Sequence, residues 1–283
     1  MDGFLLIDKE KNISSFNTDS KIKKLFETKK VGHAGTLDPN ATGLLILGVG
    51  KATKLLRFIE NKNKEYIVEI LFGKESDTYD IDGNIIKEID MNFSLDELKE
   101  KIEILKNKDT QIPPMTSAIK VNGKKLLDYQ RQGKSIEIKE RSAKIYDIEV
   151  LSFKKENNYL ISEIRLNVSK GFYVRSFVHD LGLLLNGCAL AKNLRRTKIG
   201  DISIINSKKV EDIKKDDLIN IESFLKYPYL DVNEFVCHLA QNGVTFDERQ
   251  TNIKGPFYVR CNGKVVALYE EVENNKYKPV LIF

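Results

Sequence analysis

Asp38 stands immediately before Pro39, and glycines 35 and 43 lie at similar distances on either side. A proline ring crowds the residue before it, so Asp38 is pushed out of the helical region towards an extended shape. The two glycines permit a tight, projecting loop. Mainly small or apolar residues surround it, and Leu44-Leu45-Ile46-Leu47 follows as a buried-strand run. An aspartate presented this way serves either as a nucleophile or base, or as the cap of a turn that Pro39 stiffens.

The rest of the chain alternates strand and helix signals. Phe4 to Ile7 reads as a buried strand, and Ser14 or Ser15 can cap a helix running to about Glu27. A helix is expected from about Ala52 to Glu60, and a strand over Tyr66 to Phe72. Residues 94–106 place Leu95, Leu98, Ile102 and Leu105 at helical spacing. Strands at 143–153 and 159–169 meet at an Asn157-Asn158 turn, and Phe177 to Leu185 reads as a helix stopped by Gly187. Beyond Tyr227-Pro228 come short strands at 257–260, 265–269 and 280–283, the first two joined by Asn262-Gly263, a hairpin signal. The pattern predicts an α+β domain over 1–226 and a small β-rich domain over 227–283.

Composition narrows the function. No apolar run approaches the roughly 18–20 residues of a membrane span. The first twelve residues hold only a four-residue apolar core flanked by acids, so no secretory signal is expected. Cys188, Cys237 and Cys261 are far apart and odd in number, against a disulfide framework or a CxxC site, and His33, His179 and His238 are too scattered for a zinc site. Gly48-Val49-Gly50-Lys51 has Leu45 and Ala52 where a phosphate loop needs Gly and Ser/Thr. Thr78 to Gly83 fails as a calcium loop, because position twelve is Ile89, and reads as a plain turn. The formal net charge of +5 is unevenly spread: −2 over 1–110, +9 over 111–200, −2 over 201–225 and zero over 226–283. The basic third is either a solvated lysine-rich surface or a polyanion-binding face.

The run His33 to Leu44 closely resembles the catalytic loop of the TruB family of tRNA pseudouridine-55 synthases. Phe4 to Lys9 with Ser14-Ser15 is similar to the family's first motif, and Lys64-Glu65-Tyr66 to its active-site tyrosine segment. Further resemblance lies in Asp77 to Gly83, Ile112 to Lys120, Gly123 to Gly133, Ser169 to Ser176 with Asp180-Leu181-Gly182, and Leu194 to Thr197. Order and spacing hold over about 1–200. The tail ending Lys276-Tyr277-Lys278-Pro279 resembles a PUA RNA-binding domain more weakly. Two positions depart from the family: Lys9-Glu10-Lys11-Asn12 replaces Lys-Pro-x-Gly, and His179 stands where an acid is common.

The resemblance implies a mixed, largely antiparallel-sheet catalytic domain with a PUA-like C-terminal domain. It implies an isomerase that converts uridine to pseudouridine in the T-loop of tRNA, with no cofactor and no metal. Asp38 would be the nucleophile, Arg175 the cation that keeps it ionised, and Tyr66 the ring stacked on the target base. His33 would fill the space left by the flipped base. The basic stretch 111–200 would supply the phosphate contacts, through Lys120, Lys124, Lys125, Arg131, Arg195 and Arg196, and Tyr173 would also bind the RNA; Lys9 is either a further RNA contact or a structural salt-bridge partner. A cytoplasmic monomer acting on the T-arm stem-loop without an obligate protein partner is expected. Two other readings share the scaffold. One is a non-catalytic RNA-binding or tRNA-folding protein, and the other a guide-RNA-dependent synthase resembling dyskerin, against which the compact length argues.

Overall fold

A computed structural model describes residues 1–134 and 136–283. In chain order the main elements are β1 (Gly3–Lys9), α1 (Ser15–Leu25), β2 (Val31–Ala34), β3 (Thr42–Val49) and β4 (Lys64–Phe72). Then come α2 (Leu95–Lys106), β5 (Ile145–Glu156), β6 (Tyr159–Val168), α3 (Val174–Leu184) and β7 (Ala189–Ile199). One sheet runs β1-β3-β7-β4-β6-β5, with β2 also paired to β3. Its neighbours are antiparallel except β3 with β7, which pair in parallel at Thr42–Arg195 and Gly43–Arg196. That contact sets β7 beside the end of the Asp38 loop.

Local chemistry explains the elements. The Ser14 hydroxyl accepts from Asn17 N and caps α1. Ser94 and Glu97 form a reciprocal capping box at the start of α2. Asn157 and Asn158 take φ of 49° and 69°, the left-handed pair that a tight hairpin needs. The apolar face of the sheet meets α2 and α3 through Val68, Ile70, Ile164, Leu98, Ile102, Phe177 and Leu181, all buried. α1 covers β1 and β3 through Ile22, Leu5, Ile7, Leu45 and Leu47.

A second sheet follows: β8 (Tyr229–Asp231), β9 (Phe257–Cys261), β10 (Lys264–Glu273) and β11 (Lys276–Ile282), in that order, with helix α4 (Glu234–Gln241) after β8. It is not strung on a free linker. Tyr258, Leu268 and Leu281 share a buried cluster with Phe4, Leu44 and Ile46. The Tyr258 hydroxyl donates to the Leu225 carbonyl at 2.8 Å.

Several elements differ from the sequence reading. The segment expected as one helix to Glu60 is a 3-10 turn over Gly50–Leu55 followed by a short α-helix, Leu56–Glu60. α3 begins three residues earlier than expected, because buried Val174, Arg175 and Ser176 form its first turn. The last strand begins at Lys276, since Tyr277 is fully buried between its polar neighbours. β7 carries no strand signal in the sequence. Two register shifts and the buried Arg196 break its alternation.

Candidate active site

The loop between β2 and β3 carries Asp38. Gly35 and Gly43 do take positive φ, 75° and 104°. A Cβ on Gly43 would lie 2.2 Å from the Arg196 carbonyl oxygen, so only glycine lets β3 and β7 close here. The Ser15 hydroxyl donates to the Leu37 carbonyl at 3.1 Å and accepts from Leu37 N at 3.0 Å. The first residue of α1 is thereby tied to the residue before Asp38.

Arg175 lies in the first turn of α3 and is buried. Its Nε meets Asp38 Oδ2 at 3.0 Å. Nη1 donates to the Thr78 carbonyl at 3.0 Å and to Thr116 Oγ1 at 2.6 Å, and lies 3.5 Å from Asp80 Oδ2. The guanidinium is thus held at Nη1 by three oxygens and offers its Nε to Asp38. Asp38, Tyr66, Arg175, Phe172 and Leu194 line one concavity. Tyr66 reaches it from the middle of the sheet, where β4 pairs it with Leu166 on one side and Arg196 on the other.

The Asp38 side chain keeps 42% of its surface open and lines this concavity. Enclosure by the walls pushes its pKa above the usual aspartate value. Arg175 opposes that, the nearby Asp80 carboxylate adds to it, and the Arg175 hydrogen bond and Lys9 oppose it again. The net direction is upward. Asp38 is a carboxylate poised against one cation, with an aromatic wall beside it.

The structure separates the other expected RNA-binding residues into two groups. Lys9 and Arg196 do not face solvent, which corrects their expected role. Lys9 is 1% exposed and its Nζ donates to the carbonyls of Glu10, Ile13 and Pro39 at 2.9, 2.7 and 3.1 Å. Burial lowers its pKa to about 8, with Asp38 raising it and Arg196 lowering it further. Arg196 is also 1% exposed, donating from Nε to the Leu44 carbonyl at 2.8 Å and from Nη2 to the Gly35 carbonyl at 2.9 Å. Both are struts of the Asp38 loop. Tyr173 N-caps α3, and its backbone N–H and C=O both bond the Gln111 side-chain amide at 2.8 Å. Burial pushes its phenol pKa up.

His33 lies at the edge of the loop. Its Nδ1 is 2.9 Å from Asp19 Oδ2 and its Nε2 is 3.0 Å from Thr36 Oγ1. A carboxylate can only accept, so Nδ1 carries a proton in this contact. The exposed Phe16 meets this ring edge-on at 5.3 Å. Lys120, Lys125 and Arg131 are exposed on a hairpin and short helix that close over 120–131, and Lys124 is half-buried there. Gln130 of that helix donates to the Asp77 carbonyl at 3.2 Å, resting the unit on the loop that holds Arg175. Arg195 is half-exposed and forks onto Asp8 at 2.7 and 3.1 Å.

Asp80, Thr78, Thr116, Gln111 and Asp19 carry no assigned role in the sequence reading. Asp80 and Thr78 lie in the Asp77 to Gly83 segment, and Thr116 in Ile112 to Lys120, both of which the family resemblance marks. At the departure Glu10-Lys11-Asn12, Asn12 takes φ 64° and donates its N–H to the Pro39 carbonyl at 2.9 Å. Asparagine tolerates this left-handed conformation, so the turn closes without glycine.

The family model for the N-terminal domain of TruB family pseudouridylate synthases matches residues 23–174. The chain is 38% identical over 282 residues to the tRNA pseudouridine synthase B of Borrelia garinii, covering 99% of each chain. It is 38% identical over 285 residues to the tRNA pseudouridine synthase B of Acholeplasma laidlawii, covering both chains in full. Among solved structures it superposes on a chain of a Cbf5-Nop10-Gar1 complex with a TM-score of 0.70 at 21% identity. That match covers 99% of this chain and 84% of the other, a likeness of fold. The sequence identity along the whole chain, joined to an Asp–Arg pair in a pocket walled by tyrosine, means that the chain belongs to the TruB family of pseudouridylate synthases.

Proposed function

We propose that this protein converts uridine to pseudouridine at position 55, in the T-loop of tRNA, with Asp38 as nucleophile. The observation that carries the reading is the 3.0 Å contact between Arg175 Nε and Asp38 Oδ2 in the Tyr66 pocket. The full-length relatives named tRNA pseudouridine synthase B support the substrate. The N-glycosidic bond breaks, the base turns, and its C5 bonds to the ribose C1′. The C5 proton is lost to solvent and N1, freed from C1′, takes up a proton, so the product is an isomer and the reaction balances without a co-reactant.

Asp38 must be ionised to attack, and Arg175 is the group that favours the ionised form against the desolvation of the pocket. The target base leaves its stack at a cost of about a few kcal/mol. It then lies against Tyr66, and His33 occupies the vacated space. Lys120, Lys124, Lys125, Arg131 and the half-exposed Arg195 meet phosphates. The β8–β11 sheet serves as a PUA-like RNA-binding domain over 227–283, beside a catalytic domain over 1–226. No helix among the described residues is long and apolar enough to cross a membrane. The protein acts as a cytoplasmic monomer.

Tritium release from C5-labelled, unmodified tRNA, with mapping of the modified position, tests this reading. Turnover at the T-loop uridine, on a bare T-arm stem-loop as well, is the expected result. Activity only with added guide RNA and partner proteins would favour the dyskerin-like alternative. Tight binding with no turnover would favour the tRNA-folding one.

A further inference from the structure

His179 lies on α3 four residues after Arg175, one turn along the same face. Its ring stacks on Tyr79 with centroids 4.0 Å apart and planes 24° from parallel. Nε2 lies 3.3 Å from Glu75 Oε1 and Nδ1 lies 3.3 Å from Asp180 Oδ1. The side chain is 19% exposed, so this is not a free surface histidine.

Tyr79 is held in an unusual place. Its φ is 62°, a left-handed conformation costly for a bulky aromatic residue, and it persists only where the surroundings enforce it. On one side Thr78 presents its carbonyl to Arg175 Nη1 at 3.0 Å. On the other Asp80 presents its carboxylate to the same nitrogen at 3.5 Å. The backbone of Tyr79 is pinned to β7, where Ala191 N donates to the Tyr79 carbonyl at 3.0 Å and Ile81 N to the Ala191 carbonyl at 3.0 Å. The ring is pinned by His179. Two side chains of one helix therefore grip one loop: Arg175 takes the residues flanking Tyr79, and His179 takes Tyr79 itself.

We propose that His179 is a positioning residue for the Asp38–Arg175 pair: by stacking on Tyr79 it holds the Thr78 carbonyl and Asp80 carboxylate against Arg175. The role rests on the pseudouridine-forming reading above. It also gives His179 a function at a position where the family commonly has an acid. An acidic side chain there would face Glu75 as a like charge and could not stack on the ring, so the Tyr79–His179 pair works as a unit in this chain.

The test uses the full-length protein with unmodified tRNA, measuring single-turnover rate and Kd for His179→Ala, His179→Phe, Asp80→Asn and the His179→Ala/Asp80→Asn double variant. His179→Ala is expected to slow the single turnover by about tenfold with Kd changed less than about twofold, since a small misplacement acts on the chemical step. His179→Phe keeps a stacked ring and is expected to recover most of the rate. The double variant is expected to be little slower than Asp80→Asn alone, because both act through one loop. Additive losses, an unchanged rate in His179→Ala, or a His179→Phe variant as slow as His179→Ala would each overturn the proposal. Amide hydrogen exchange at Ile81 and Ala191 gives a readout independent of turnover. It should quicken in His179→Ala and not in His179→Phe, and equal exchange in both overturns the clamp. A wild-type protein that forms no pseudouridine would overturn the functional reading, and the exchange experiment would still decide the clamp.

Discussion

Lys9 Nζ donates to the carbonyl oxygen of Pro39 at 3.1 Å, reaching the residue after Asp38 from beneath the loop. Its other two bonds, to the Glu10 and Ile13 carbonyls, fix the turn that departs from the family pattern. Lys9→Met removes three hydrogen bonds and takes the ammonium donor from the Glu10 and Ile13 carbonyls, while the Pro39 carbonyl keeps the Asn12 N–H. The expected cost is about 1–3 kcal/mol of stability by urea denaturation. The affinity for T-arm RNA should change less than about twofold by filter binding, since Lys9 does not reach solvent.

The same lysine gives a pH dependence with a definite sign. Its pKa falls from 10.5 to about 8 on folding. Between those values the unfolded chain holds a proton that the native state has released, so this group makes stability rise with pH there. Below about pH 8 both states are charged and the desolvation cost is fully present. Urea midpoints from pH 7 to 10 should therefore rise more in the wild type than in Lys9→Met. Parallel curves would show that Lys9 keeps its ordinary pKa.

Arg196 supports the loop from the other side, bonding the Leu44 and Gly35 carbonyls while its own backbone abuts Gly43. Arg196→Lys keeps the charge and loses the fork, so it should lower stability by about 1–3 kcal/mol and slow turnover without weakening RNA binding. Gly43→Ala forces a Cβ to 2.2 Å from a carbonyl at φ 104° and should cost more than about 1 kcal/mol, with loss of activity. Thermal unfolding and tritium release measure both.

Asp38→Asn should reduce pseudouridine formation by at least about 10³-fold while retaining tRNA binding. Because the carboxyl pKa is raised on folding, ionised Asp38 lowers stability above the folded pKa, and that cost disappears as pH falls below the unfolded value near 3.8. The Asn variant should therefore be no less stable than wild type at pH 8. The acid limb of kcat/KM should lie above the ordinary aspartate range. Asp80→Asn removes a charge that pushes the Asp38 pKa up, so it should move that limb to lower pH.

The legibility of this protein followed the range of the interactions. Asn157-Asn158 and Asn262-Gly263 marked their hairpins because turn chemistry is local, and both pairs take positive φ. Asp38-Pro39 between two glycines announced a projecting loop for the same reason. Arg196 reads as a surface charge in the sequence, because the carbonyls that bury it lie 152 and 161 positions away. That also hid β7, since a buried arginine breaks the apolar alternation. Arg175 is legible through its motif, whereas its partner Thr116, 59 positions away, has nothing in its own neighbourhood that points to an arginine.

The charge excess over 111–200 divides the same way. Arg196 is consumed inside the fold and Arg195 is matched by Asp8, whereas Lys120, Lys125 and Arg131 of the 120–131 unit are exposed, as are Lys134, Lys139, Arg141, Lys155 and Lys170 elsewhere in the segment. RNA affinity should fall with salt as counterions are released, by a slope of about 0.7–0.9 per phosphate neutralised. Lys125→Ala and Arg131→Ala should each lower that slope by about one and weaken different tRNAs equally. Lys9→Met and Arg196→Lys should leave the slope unchanged. A slope that fell with the buried pair and not with the exposed one would put the RNA on a different face of the molecule.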